Sequence, residues 1–294
     1  MFKRISLFVL TNILVVSTLL VIAQLTGLGS YVDKQGGNLT FIAILSVVFG
    51  FAGSFISLLI SKWLAKMMMG IRIISPSTSD PFERWLIDEV HQMSRDAGLK
   101  TMPEVGIYNS GEVNAFATGP SKSNSLVAFS SGLLNSMDRS GIRGVAAHEV
   151  SHIANGDMVT MSLLQGVINT FVIFFARILA LVASAAMDPE RRGGIQFLFI
   201  MLFQFVFSIL GTMVVMSYSR WREFHADAGS ARLVGKESMI TALRQLQRTK
   251  EYVDTRQEAL ATFKIAGPAG MFFKLFASHP PLEDRIAALE KGSY

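Results

Sequence analysis

The run Gly144-Val145-Ala146-Ala147-His148-Glu149-Val150-Ser151-His152-Ile153 decides how this chain is read. Two histidines four residues apart lie on one face of a helix, where both can present a ring nitrogen to one metal ion. Glu149 follows the first of them, and its carboxylate can take the proton of a water that the metal activates. The neighbours Val145, Ala146, Ala147 and Ile153 are small or apolar, as a buried metal-bearing helix requires. The competing reading is two surface histidines on an amphipathic helix.

Outward from this helix the chain alternates between two compositions. Its 294 residues are half hydrophobic, its mean hydropathy is +0.41, and only 17% are charged, against about 25% in ordinary soluble domains. Four windows, 5–32, 35–61, 158–187 and 193–219, contain a single charged side chain, Arg177, while all five histidines lie outside them. The sequence therefore describes a membrane protein with a water-facing domain spliced into it. A disulfide scaffold, a collagen-like fibre and a disordered chain are excluded. The absence of cysteine removes thiolate ligands, iron–sulfur clusters and a cysteine nucleophile. A net charge of +5 without a dense basic–aromatic run gives no support for nucleic-acid binding. Basic residues flanking membrane spans account for it.

The first window, from Ile5 to about Thr26, is long enough to span and lacks a clean cleavage site, so it reads as a retained anchor. The second runs from about Leu39 to Ile60. Lys3 and Arg4 before the first, and Lys62, Lys66 and Arg72 after the second, place both ends of this hairpin in the cytoplasm. Windows three and four either cross the bilayer as a second hairpin or lie partly buried against protein. Arg177, Gln165 and Asn169 make the third the less certain span. The expected organisation is a hairpin at 1–61, a first catalytic part at 62–157, a hydrophobic pair at 158–219 and a second catalytic part at 220–294. The two water-facing pieces must come together around one site. Within the first, Asp80-Pro81-Phe82-Glu83 predicts a capped helix that Gly98 stops. Glu104–Tyr108, Val113–Ala117 and Leu126–Ser130 read as short strands, separated by Asn- and Gly-rich turns. The fold class is α+β, mainly helical, with a small sheet ahead of the catalytic helix.

A hydrolytic metal site wants three protein ligands and an open position. With no cysteine, the third must be His, Glu or Asp. Glu223, in Arg222-Glu223-Phe224-His225-Ala226-Asp227, is the candidate, with Asp227 one turn further on the same face. That spacing lets Glu223 bind metal while Asp227 accepts a hydrogen bond from the second nitrogen of a metal-binding histidine. A solvated charged helix beyond a membrane span has the same pattern.

His-Glu-Val-Ser-His followed by Glu-Phe-His-Ala-Asp after a hydrophobic insertion resembles the HtpX family of membrane-bound zinc metalloproteases, which is related to the CAAX prenyl proteases. The likeness also takes in Asn114-Ala115-Phe116-Ala117 and the closing Ser278-His279-Pro280-Pro281 before Arg285, and so covers essentially the whole chain. It implies a zincin-type domain holding one zinc ion per chain on His148, His152 and Glu223, with Glu149 as general base. It further implies a multi-pass protein of the bacterial inner membrane, active on the cytoplasmic side, that cuts unfolded or misfolded membrane proteins in quality control and stress response.

Asn114, Ala115 and Phe116 suit an edge strand that pairs with an extended substrate, or a core strand with Phe116 buried. His279 can steady a tetrahedral oxyanion, or serve as a loop histidine. His225, two residues from Glu223, points to another helix face and is not expected to be a ligand. Rival functions are a prenyl-protein protease with the same chemistry, and a non-enzymatic membrane adaptor whose metal is structural. A fourth firm ligand such as His279 would favour the adaptor. An intramembrane protease conflicts with Asp138, Arg139, Arg143 and Asp157 around the histidine helix.

Overall fold

The structure is a computed structural model that describes residues 37–255 and 277–292, with 27–34 and six residues between Ile13 and Leu25. The first candidate span, Ile5 to Thr26, lies outside the described residues except at those six positions. The elements are α1 (Leu28–Lys34), α2 (Leu39–Met69), β1 (Arg72–Ile73), α3 (Pro81–Asp96), β2 (Glu104–Tyr108), β3 (Ala115–Ser121), β4 (Asn124–Ser130), α4 (Ser131–Ser136), α5 (Arg139–Asn155), α6 (Asp157–Ser184), α7 (Pro189–Val234), α8 (Lys236–Thr255) and α9 (Leu282–Lys291). The chain is mainly helical with one small mixed sheet, the α+β class that its sequence indicates. It divides into two compact units, Met1–Ser57 with Met161–Val215, and Leu58–Thr160 with Met216–Tyr294.

The first unit is built from apolar helices. Among the described residues, α2, α6 and α7 are long and apolar enough to cross a membrane. Phe41, Phe49, Phe197 and Phe205 on α2 and α7 are each more than 60% exposed, and such large bare aromatic rings call for lipid rather than water around them. Between α2 and α6 the contact is made by small and polar residues. Ser46, Gly50 and Ser54 recur every fourth residue on α2, and Ser162 donates from its hydroxyl to the Ser54 carbonyl at 2.8 Å. A Cβ on Gly50 would stand 2.6 Å from the Thr170 backbone nitrogen, so only glycine allows the helices to approach this closely. Inside lipid, where apolar side chains gain nothing by meeting each other, close backbone packing and interhelical hydrogen bonds take over as the cohesive terms. Gln165 and Asn169 find their place in the same seam: Gln165 donates to Asn169 at 2.9 Å, and Asn169 to the Ser54 hydroxyl at 3.4 Å. Nothing in the described residues explains Arg177.

The second unit carries the sheet, in the order β1-β2-β4-β3, with β2 and β4 parallel and the other pairs antiparallel. β2 matches its sequence reading residue for residue. β3 and β4 do not: β3 begins two residues late at Ala115 and continues to Ser121 through Gly119 and Pro120, which read as a loop, and β4 begins two residues early at Asn124. The physical reason is that β3 is an edge strand whose register shifts between Thr118 and Ser121. Proline, which cannot donate to a ladder, is tolerated at such a bulged edge. β1, unread in the sequence, pairs with β2, and Lys62 and Lys66 at the end of α2 clasp Glu104 on that strand, Lys62 at 3.0 Å.

Asp80 caps α3 as its sequence indicates, accepting from the Phe82 and Glu83 amides at 2.8 and 2.9 Å. The apolar face of α3, with Leu86, Ile87, Val90 and Met93 buried, packs in one core with Val127 and Phe129 of β4 and with Ile142, Val150 and Ile153 of α5. Each such fully buried side chain contributes roughly 1.5–3 kcal/mol. α5 is capped by Asp138, whose carboxylate accepts from the Gly141 amide at 2.8 Å, and it is buried from Ile142 to Ile153 except at Arg143. β3, β4, α3 and α8 surround it. The helix ends at Gly156, whose left-handed conformation (φ 76°) turns the chain directly into Asp157 and α6.

Candidate metal centre

Helix α5 carries His148 and His152 on one face, with Nε2 atoms 3.1 Å apart. Glu223 comes from α7, 75 residues away in sequence, and is fully buried. Its two oxygens divide between the imidazoles: Oε2 is 3.2 Å from His148 Nε2, and Oε1 is 3.3 Å from His152 Nε2. One ligand atom from each of the three residues lies within 4.8 Å of the others. Glu223 Oε1 is buried without an acceptable hydrogen bond. An orphaned carboxylate oxygen beside two converging ring nitrogens is the signature of a donor set arranged for a cation. Two imidazoles and a carboxylate suit a divalent metal, and three protein ligands leave a position open for water or substrate.

Each imidazole is held from behind. His148 Nδ1 lies 2.9 Å from Asp227 Oδ1, and His152 Nδ1 lies 2.6 Å from Asp157 Oδ2. A carboxylate at Nδ1 fixes the proton there and leaves the Nε2 lone pair free for metal. Asp227, one turn beyond Glu223, is in turn gripped by Arg285 of α9. The guanidinium donates to both of its oxygens, from Nε at 2.7 Å and Nη2 at 2.5 Å, and the side chain is 6% exposed. Such a two-pronged contact fixes direction as well as distance. Arg285 Nη1 also lies 3.7 Å from Glu223 Oε2. Glu149, 8% exposed, follows His148 on the same helix. His279 stands 2.7 Å from Glu223 Oε2 through Nδ1, with most of its side chain exposed.

The structure thus brings His148, Glu149, His152, Glu223, Asp227 and His279 into one neighbourhood. Ala115 and Phe116 begin the edge strand β3, which packs against α5, and Asn114 immediately precedes it. Asn114 is exposed, and its backbone nitrogen and oxygen bond Ser130. Phe116 is half-buried against the Tyr108 ring, 5.7 Å between centroids, so the strand is both an edge and a partial core element. His225 lies against Trp221 with the rings tilted and centroids 3.9 Å apart, its Nδ1 3.1 Å from the Trp221 carbonyl, and it is not among the converging ligand atoms. Two participants escape the sequence reading. Asp157 carries a faint local signal, as an acid immediately after a helix-ending glycine and five residues past His152. Arg285 carries none beyond its place after the Pro280-Pro281 pair.

The electrostatics favour a proton wherever a metal is absent. Burial and the nearby Arg285 charge oppose a charged His148, but hydrogen bonds to Asp227 and Glu223 outweigh them and push it up to about 9. His152 is raised too: burial opposes its charge, and Asp157 and Glu223 prevail. In the metal-free chain the raised His148 value stabilises the fold fully below its ordinary value near 6.5, and that contribution is lost as pH rises through about 9. Metal binding at pH 7 must displace these protons, with an expected release of about one to two per ion. Calorimetric titration of the metal in buffers of different ionisation enthalpy measures that number. A release near zero would contradict the protonated imidazoles.

Comparison with known proteins decides the lineage of this arrangement. Residues 82–293 match the family model described as peptidase family M48. The protease HtpX homologue of Bacillus licheniformis is 53% identical over 295 residues, covering 98% of this chain and 99% of the relative. The chain is an HtpX-family member of peptidase family M48. Its Bacillus subtilis relative is 52% identical over 99% of both chains, and the protease HtpX of Pasteurella multocida is 49% identical over 98% of both. Among solved structures, the crystal structure of S. mikatae Ste24p superposes with a TM-score of 0.58 at 18% identity, over 96% of this chain and 66% of that one. That likeness concerns the fold. M48 membership and the apolar helices make this chain a membrane metalloprotease, and the family implies a metal cofactor.

Proposed function

We propose that this HtpX-family chain binds one zinc ion through His148, His152 and Glu223, and hydrolyses peptide bonds in misfolded or damaged membrane proteins as part of stress-linked quality control. The observation that carries the reading is the buried triad of ligand atoms on α5 and α7, with Glu149 beside it on α5. On this reading residues 62–157 and 220–294 are the two catalytic parts, and 1–61 and 158–219 are the membrane pairs. The active site faces the cytoplasm from the bacterial inner membrane, as the basic residues Lys3, Arg4, Lys62 and Lys66 around the first hairpin suggest.

Zinc, when bound, supplies Lewis acidity to the scissile carbonyl and acidifies the water that attacks it. The rest of the reaction belongs to the chain. Glu149 takes the proton of the attacking water on its carboxylate and delivers it to the nitrogen of the leaving amine. Asp227 and Asp157 hold His148 and His152 in the tautomer that leaves Nε2 unprotonated. His279, at the exposed rim beside Glu223, is placed to donate to the oxyanion as the carbonyl carbon becomes tetrahedral. The edge of β3 offers unpaired backbone groups to an extended substrate, a form that unfolded chains adopt and folded ones do not.

The test is cleavage of an unfolded protein such as casein by the detergent-purified chain. Cleavage is expected to stop when a chelator strips the metal and to return with added zinc. Glu223→Ala is expected to retain no stoichiometric zinc by elemental analysis; full zinc content in that variant would move the third ligand elsewhere.

A further inference from the structure

Two of the three tryptophans occupy matching positions that the chemistry above does not use. On α2 an outward apolar stripe runs through Ile56, Leu59 and Ile60 and ends in Trp63 and Met67, all between 40% and 64% exposed. On α7 a stripe through Leu210 and Val214, 53% and 52% exposed, ends in Trp221 at 53%. Both helices are long and apolar enough to cross a membrane, and in both the tryptophan stands among the first charged residues beyond the apolar stretch, after Lys62 on α2 and between Arg220 and Arg222 on α7. The charged side chains turn inward here. Lys62 and Lys66 reach Glu104 on the sheet, while Trp63 faces out from the same helical turn. In water this is the wrong way round for an amphipathic helix. The third tryptophan, Trp85, packs instead between Phe82 and the Arg139 guanidinium.

A bare indole is costly in water, and its N–H is poorly served inside hydrocarbon. It settles where an apolar body and a polar edge are both accommodated, at the headgroup level of a bilayer. We propose that Trp63 and Trp221 lie in the headgroup interface of the membrane, and that the metal site is thereby held at the bilayer surface. The occupant of this face is lipid rather than a second protein, because both tryptophans follow exposed apolar side chains on helices long and apolar enough to cross a membrane. The vertical placement follows from helix geometry. Glu223 is two residues beyond Trp221, a rise of about 3 Å along the axis, so the third ligand sits less than one turn from the indole. The site then meets polypeptide as it leaves the bilayer. This placement rests on the proposed membrane-protein substrates only for its biological meaning; the position itself is measured independently.

The experiment uses the full chain in nanodiscs of phosphatidylcholine and phosphatidylglycerol, as three single-tryptophan versions: W85F/W221F, W63F/W85F and W63F/W221F. Fluorescence quenching is read with a nitroxide on the lipid headgroup and with bromines deep in the acyl chains. Trp63 and Trp221 are each expected to be quenched by the headgroup probe at least about twofold more than Trp85, and more than by the deep bromines. Quenching no greater than that of Trp85, as a covering second copy of the chain would give, overturns the proposal. So does stronger quenching by the deep bromines, which would bury the rings in hydrocarbon. Casein cleavage by the same preparations reports on the endopeptidase reading separately. Loss of cleavage with the expected quenching leaves the interface placement standing, and cleavage without the quenching sinks the placement alone.

Discussion

Replacing Glu149 with Gln is expected to lower the rate of peptide hydrolysis by about 10³-fold while leaving the metal content unchanged. Glutamine keeps the size of the side chain and its place on α5, so the core around it is preserved. It cannot accept the proton of the attacking water at neutral pH, and it carries no proton to give to the leaving amine. Both halves of the relay are therefore lost in one substitution. The change does not touch His148, His152 or Glu223, whose atoms form the ligand group without it. Single-turnover rates on casein, set beside elemental analysis of the same preparation, make the comparison. Equal rates for the two proteins would remove Glu149 from the mechanism; loss of metal in the variant would reassign it to the ligand set.

Arg285→Leu is expected to cost roughly 3–5 kcal/mol of stability, because it strands the Asp227 carboxylate in the interior. Asp227 is 1% exposed and Glu223 fully buried, so neither can turn to water for compensation. Without the guanidinium the direction of Asp227 is no longer set, and the hydrogen bond that orients His148 weakens. Metal affinity is expected to fall about 10- to 100-fold. The double variant Arg285→Leu/Asp227→Asn removes the stranded charge and is expected to recover part of the stability while leaving the metal affinity low. Thermal unfolding in detergent and competition with a metal chelator separate the two effects. If the single variant melts like the wild type, the buried pair is not what holds α9 to the site.

These two residues also mark the boundary of what could be read from the sequence. Glu149 is legible because its partners are local: His148 and His152 stand four apart, and helical geometry alone puts them on one face. Glu223 and Asp227 share that advantage, being one turn apart on a second helix. Arg285 reaches Asp227 across 58 residues, and no periodicity encodes a contact of that separation. Asp157 is near in sequence, yet its approach to His152 depends on the left-handed turn at Gly156, which a composition or a helical wheel does not convey. The far end of β3 is hidden from the sequence for a related reason. Gly119-Pro120 breaks a strand paired on both sides, but β3 is paired on only one, and which strand lies at the edge is a property of the sheet.

One consequence follows from the buried charges around the ligands. Glu149, Asp157, Glu223 and Asp227 bring four carboxylates into this interior, and Arg285 offsets one of them. A proton on an imidazole and a divalent cation at the ligands therefore answer the same excess of negative charge. On the proposed reading, metal loading is an exchange of counter-charges at residues that the fold already brings together.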